Sequence, residues 1–165
     1  MSHGAPPDFD PAPFGAELRA FVLRMGGGQE ADDVVQETFL RAVRAAAPDR
    51  PRAWLYGVAL NVLRDRSRST HRARIDSDPE RLHAVESRSD GPAESAIARE
   101  TSRLVLRVVE RLPERQRAAL LLRLQRHMDY GEIATALECS IGTARQHFHL
   151  AVQSVRDALS EEDDA

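Results

Sequence analysis

The stretch DYGEIATALECSIGTARQHFHLAVQSVRDAL, residues Asp129 to Leu159, decides how this chain is read. Asp129 and Glu132 have the spacing of a capping box, which predicts a helix beginning at Tyr130. Ile133, Ala134 and Leu137 give that helix an apolar side. Glu138 and Cys139 fall in a turn, and Ser140 has the chemistry of an N-cap for a second, longer helix. On it Ala144, Phe148, Ala151, Val152, Val155 and Leu159 recur at helical period, one buried stripe. Gly142, Thr143, Gln146, His149, Leu150 and Gln153 face the other way. A capped helix, a tight turn and a second helix with a polar outer face describe a helix-turn-helix. The same pattern also suits two ordinary helices of a bundle.

Around this stretch the 165-residue chain has room for one domain or two small ones, and 42% hydrophobic against 30% charged residues is enough to bury a core. The formal net charge of −3 conceals segregation along the chain. All 23 basic residues are Arg, a uniformity that reads as coding bias rather than as a signal at any one site. A single cysteine, Cys139, excludes an intramolecular disulfide and fits a reducing cytoplasm. No apolar run reaches membrane-spanning length. The first 12 residues, acidic and Pro-rich, lack the basic start and apolar centre of a signal peptide and read as a disordered leader.

Upstream, Phe14, Leu18, Phe21, Val22 and Met25 make a helical stripe that Gly26, Gly27 and Gly28 interrupt. These glycines do not read as a phosphate loop, since no strand precedes them and no Gly-Lys-Ser/Thr follows. The next helix is predicted from Ala31, with Asp32 and Asp33 in its first turn. Val35, Phe39, Ala42 and Val43 are assigned to its core side, and Asp33, Gln36, Glu37 and Leu40 to another face, either solvated or a docking surface. A Pro-punctuated loop leads to a third helix from Pro51, with Leu55, Val58, Ala59 and Val62 as its buried stripe. Residues 52–74 hold six Arg against one Asp, a net of +5, with Trp54 and Asn61 nearby. That composition suits a nucleic-acid strand held by phosphate contacts and base stacking. Trp54 also suits a core and Asn61 a solvated helix face.

Residues 75–100 carry seven acids against three Arg, a net of −4, and read as an acidic flexible tether. Helical periodicity returns with Ile97, Thr101, Leu104, Val105, Val108 and Leu112. Pro113 suits the first turn of the following helix, which runs through Leu120, Leu121, Leu122 and Leu124. The expected architecture is all-α: leader 1–12, helical domain 13–74, tether 75–100, helical domain 101–160 and an acidic tail 161–165.

Preceded by LPERQRAALLLRL at Leu112 to Leu124, the opening stretch resembles region 4 of bacterial sigma factors of the extracytoplasmic-function (ECF) group. Leu112, Pro113, Gln116, Arg117, Glu132, Ile133, Ala134, Ser140, Ile141, Gly142 and Thr143 carry that resemblance. The words DDVVQETFLRA at Asp32 to Ala42 resemble the region 2 helix that binds the clamp helices of RNA polymerase. Arg52 to Leu55, Asn61 and Arg64-Asp65 resemble the promoter-melting segment. The resemblance implies polymerase contacts at Asp33, Gln36, Glu37 and Leu40. It implies capture of the −10 strand by Arg52, Trp54, Asn61, Arg64 and Arg68. Reading of the −35 duplex would fall to Ser140, Thr143, Arg145, Gln146, His149 and Leu150. Core RNA polymerase, promoter DNA and an anti-sigma factor are the implied partners, with no cofactor and no metal.

Residues 129–159 depart from the family in charge: two Arg against four acids, a net of −2. Leu150 stands where an Arg is common, and Glu138 replaces the usual turn Gly, straining the turn if φ there is positive. Phosphate contacts dominate duplex affinity, so weak −35 binding with a shallow salt dependence is expected. Arg107, Arg111, Arg115, Arg117, Arg123 and Arg126 on the preceding helices are expected to supply the backbone grip. Protonation of His147 and His149 is expected to tighten binding at pH 6 relative to pH 8.

Other readings are poorer. No Gly-x-Ser-x-Gly, P-loop or His-Glu-x-x-His is present, and His127, Cys139, His147 and His149 have no zinc-finger spacing. A polymerase-independent helix-turn-helix regulator would use only the C-terminal half and leave the region-2-like words unexplained.

Overall fold

The computed structural model describes residues 9–46, 48–74 and 96–163, and every regular element among them is helical. The chain divides into two compact units, Met1–His83 and Ala84–Ala165. Most of the stretch read as a tether, residues 75–95, lies outside the described residues.

In the first unit a 3-10 turn at Ala12–Phe14 leads into α1, Gly15–Arg24. The Asp10 carboxylate accepts the Ala12 N–H at 3.0 Å, Pro11 is buried, and the Phe9 and Phe14 rings lie 5.7 Å apart. Residues 9–12, assigned to the leader by composition, are therefore anchored to the unit, because an aromatic and a proline found apolar neighbours. Leu18, Phe21 and Val22 are fully buried on α1. Its end is fixed by glycine: Gly26 has φ 92°, and a Cβ on Gly27 would meet Val22 Cγ1 at 2.5 Å and the Val22 carbonyl at 2.9 Å.

A second 3-10 turn, Gly28–Glu30, opens α2, Ala31–Arg44. Its buried residues are Ala31, Val34, Thr38 and Ala42, not the stripe of Val35, Phe39, Ala42 and Val43 expected from hydropathy. Val35 and Phe39 are half-buried, and Val43 is 67% exposed. Thr38 makes this rotation possible. Its hydroxyl donates to the Val34 carbonyl at 2.7 Å, so a polar residue sits in the core with its hydrogen bond made.

The third helix, α3, Pro51–Arg74, begins on a proline, whose missing N–H is harmless in a first turn. Ala53, Leu55, Tyr56, Ala59, Leu60 and Val62 are buried along it, a broader stripe than predicted, with Val58 only half-buried. Tyr56 packs edge-on against Phe21 at 5.0 Å, and its hydroxyl donates to Glu17 at 3.2 Å, giving a buried aromatic a partner for its polar end.

The second unit contains α4 (Ala96–Arg111), α5 (Glu114–Leu124), α6 (Tyr130–Leu137) and α7 (Ile141–Asp163), with α4, α5 and α6 all packed on α7. Helix α4 starts inside the stretch read as tether, and its first turns are uncovered: Ile97 is 79% exposed, whereas Val109 and Leu112 are buried. Pro113 is the N-cap of α5 rather than part of its first turn. Helix α7 continues into the acidic residues read as a tail, where alanine and leucine upstream keep the helix going. The capping box at α6 is complete. The Glu132 N–H donates to Asp129 at 2.8 Å, and the Asp129 N–H donates to Glu132 at 2.9 Å.

Arginines satisfy the opposite helix ends. Arg115 donates to the Leu137 carbonyl at 2.7 Å, Arg123 to Met128 at 2.9 Å, and Arg117 to the carbonyls of Glu110 and Leu112. Those of Glu110, Leu112 and Leu137 are orphan acceptors at the ends of α4 and α6, whereas Met128 lies in the loop between α5 and α6. Arg115 also lies near His147, whose Nδ1 is buried without a hydrogen-bond partner. Burial, and then the Arg115 charge, push the His147 pKa below its ordinary value. The expected gain in DNA affinity from protonating His147 at pH 6 is thus not supported, since the folded protein resists that proton.

Two outcomes are expected. Glu138 ends α6 at φ 52°, ψ 51°, in the left-handed region; this conformation costs an L-residue about 1 kcal/mol. Glu138→Gly should raise the melting midpoint of the full chain by a few degrees, and an unchanged or lower midpoint would show the turn to be unstrained. His147 in the unfolded chain takes up its proton near pH 6.5, and the folded state takes it up at lower pH. Its contribution to stability is therefore fully present above that pH and declines as pH falls through the window between the two values. His147→Gln should flatten thermal stability between about pH 7.5 and 5.5; an unchanged slope would count against this account.

Candidate nucleic-acid interface

Two faces of the first unit carry the residues singled out in the sequence. On α2, Asp33, Gln36 and Leu40 are exposed and Glu37 is half-buried, spaced so that they share one side. Leu40 is 52% exposed, and Val43 extends the same strip. The strip combines carboxylates with uncovered aliphatic side chains. Its acids already have surface partners: Arg41 meets Glu37 at 2.9 Å and Asp65 at 3.5 Å, and Arg66 meets Asp33 at 3.8 Å. Such exposed pairs contribute on the order of 0–1 kcal/mol each and yield readily to a competing partner.

On α3, Trp54, Asn61 and Arg68 stand seven residues apart and so fall on one side of the helix, rising about 10 Å per step. Arg64 joins this side, its Nη1 donating to the Asn61 side-chain oxygen at 3.3 Å. Trp54 is half-buried, neither swallowed by the core nor free of it. Arg52 is not brought to this face. It lies about 160° round the helix from Trp54, with Nη2 at 3.6 Å from Glu17, the carboxylate that also receives the Tyr56 hydroxyl.

In the second unit Ser140 caps α7. Its oxygen accepts the Thr143 N–H at 3.1 Å, and its hydroxyl donates to Thr143 Oγ1 at 2.8 Å. Both hydroxyls are thereby committed to the helix start. Arg145, Gln146, His149 and Leu150 are exposed on the first turns of α7, Leu150 by 40%. Three of the six arginines expected to grip the DNA backbone, Arg115, Arg117 and Arg123, are instead turned onto backbone carbonyls of the unit itself. Arg107 and Arg111 remain exposed.

Sequence reasoning passed over Tyr130. Its ring lies 4.9 Å from the Arg123 guanidinium carbon, 5.2 Å from that of Arg145 and 6.0 Å from the Phe148 ring. Counted only as the first residue of α6, it gave no signal, because its partners come from two other helices.

Among the described residues no group of three or more His, Cys, Asp or Glu side chains could hold a metal ion, and no helix is long and apolar enough to cross a membrane. Burial raises the Cys139 pKa, against the lowering effect of Arg115, which keeps the thiol protonated rather than nucleophilic.

Residues 13–73 match the family model for sigma-70 region 2, and residues 102–155 match that for sigma-70, region 4. The RNA polymerase sigma-H factor of Pseudomonas aeruginosa is 32% identical over 154 residues, which cover 86% of this chain and 79% of the relative. The ECF RNA polymerase sigma-E factor of Salmonella typhimurium is 29% identical over 150 residues, 84% and 78% of the two chains. Among solved structures, the sigma factor RpoE in complex with the anti-sigma factor NepR from Bartonella quintana matches with a TM-score of 0.74 at 21% identity, covering 91% of this chain and 94% of that one. At that identity the last likeness concerns the fold. With both halves matched in order and the kinship extending over most of its length, the chain belongs to the sigma-70 family as an ECF-type sigma factor.

Proposed function

We propose that this protein acts in the cytoplasm as a removable, non-enzymatic specificity subunit of RNA polymerase, with its surfaces divided by task. Asp33, Gln36, Glu37 and Leu40 on α2 dock on core polymerase. Trp54, Asn61, Arg64 and Arg68 on α3 capture the melted −10 strand, and Arg52 braces the start of that helix through Glu17. Helix α7 enters the −35 major groove, where Arg145, Gln146 and His149 read base edges and Leu150 meets a thymine methyl. Ser140 and Thr143 set the angle of its first turn. An anti-sigma factor covers one or both units when transcription is not required.

The observation that supports this most is the pairing of an acidic and apolar strip on α2 with a basic and aromatic face on α3 in one small unit. A regulator working without polymerase needs neither. Run-off transcription with core polymerase on a promoter library tests the reading directly. A repressor would instead bind DNA alone and fail to copurify with core.

Changing Asp33, Gln36 and Glu37 together to Ala should weaken core binding by about tenfold or more, on the order of 1.4 kcal/mol, with helix content intact. Unchanged competition against another sigma factor would remove these residues from the interface. Stacking on an aromatic is worth about 1–3 kcal/mol per base, so Trp54→Ala should slow open-complex formation on duplex promoters by about tenfold and matter less on pre-melted templates. Equal losses on both templates, with a lowered melting midpoint, would make Trp54 a core residue.

A further inference from the structure

We infer that Tyr130 is a positioning residue for promoter reading: its ring holds the Arg145 guanidinium ready for a base edge. The inference rests on the assignment of α7 to the −35 duplex. Arg145 is exposed on the second turn of α7, and its guanidinium carbon lies 5.2 Å from the centre of the Tyr130 ring. No carboxylate pairs with it at ion-pair distance among the described residues. The ring is the group against which the guanidinium rests.

A cation resting on an aromatic face keeps its in-plane N–H donors free for a fork contact, whereas a carboxylate partner would occupy them. Tyr130 is itself held firmly. It follows the Asp129 cap on α6, Arg123 of α5 approaches its ring at 4.9 Å while tied to the Met128 carbonyl at 2.9 Å, and Phe148 and His149 of α7 approach at 6.0 and 6.5 Å. One half-buried ring thus gathers three helices around the basic side chain that α7 offers near its start.

This matters more here than on a strongly basic recognition helix. Residues 129–159 carry a net charge of −2, so Arg145 has little electrostatic help in finding DNA. An unrestrained arginine must give up its rotamer freedom on binding. One already placed on a ring gives up less, which sharpens discrimination at the base pair it reads.

The test is selection of active promoters, by the full chain with core polymerase, from a library randomised across the −35 region. The chain is compared with Tyr130→Phe, Tyr130→Leu, Arg145→Ala and the Leu/Ala double variant. Tyr130→Phe keeps the ring and should match the parent. Tyr130→Leu should lose roughly two- to fivefold of the preference at the same base pair that Arg145→Ala relaxes, with smaller changes elsewhere, and at that base pair the double variant should be no worse than Arg145→Ala. Retained preference in Tyr130→Leu, an equal loss at every position, or additive losses in the double variant would each overturn the inference. If the parent selects no −35 sequence at all, the assignment of α7 to that element fails, and this inference with it.

Discussion

A helix of two or three turns has nearly as many unpaired backbone groups at its ends as paired ones in its middle, and the second unit is built around meeting that demand. At the N-terminal ends the chain uses local chemistry, the reciprocal Asp129–Glu132 box and the Ser140 hydroxyl. At the C-terminal ends of α4 and α6 it uses arginines of α5, reaching back to the carbonyls of Leu112 and Leu137. Each such bond joins two elements as well as closing one. The eight-residue α6 is thus pinned at its start by its own side chains and at its finish by α5, and the turn that follows it presents α7 in one orientation.

That division explains what could be read in the residues alone. The capping box, the Ser140 cap and the outward face of α7 were legible because every partner lies within one or two turns in sequence. The two helical units and the exposed strip of α2 were legible for a related reason, since charge and periodicity mark them locally. Arg115 was not, because its acceptor is 22 residues away, and an arginine near a DNA-reading helix looks the same whether it faces phosphate or a carbonyl. Val43 was misplaced and Thr38 passed over: hydropathy puts valine inside, and an intrahelical hydrogen bond lets threonine take the buried position. Tyr130 escaped for the same reason as Arg115, its ring partners coming from α5 and α7.

The first unit solves a different problem. Its three helices close on a core whose centre the large residues Phe21 and Tyr56 fill, so that α2 and α3 can keep their outer sides polar. Glu17 links this core to the outside, since it accepts the Tyr56 hydroxyl and stands near Arg52. The close approach of Gly27 to Val22 sets where α1 gives way to α2. A side chain there would displace the acidic strip as well as the core.

Helix α7 runs unbroken for 23 residues, a rod about 34 Å long. Rods turn small angles into large displacements. A tilt of about 6° about its far end would carry the reading end some 3.4 Å, the rise of one base pair along the duplex. On the role proposed for α7, the packing of α4, α5 and α6 along the rod would therefore set its register on DNA. Lost packing there would shift the direction of the exposed start of α7, at a distance from the contact that was lost.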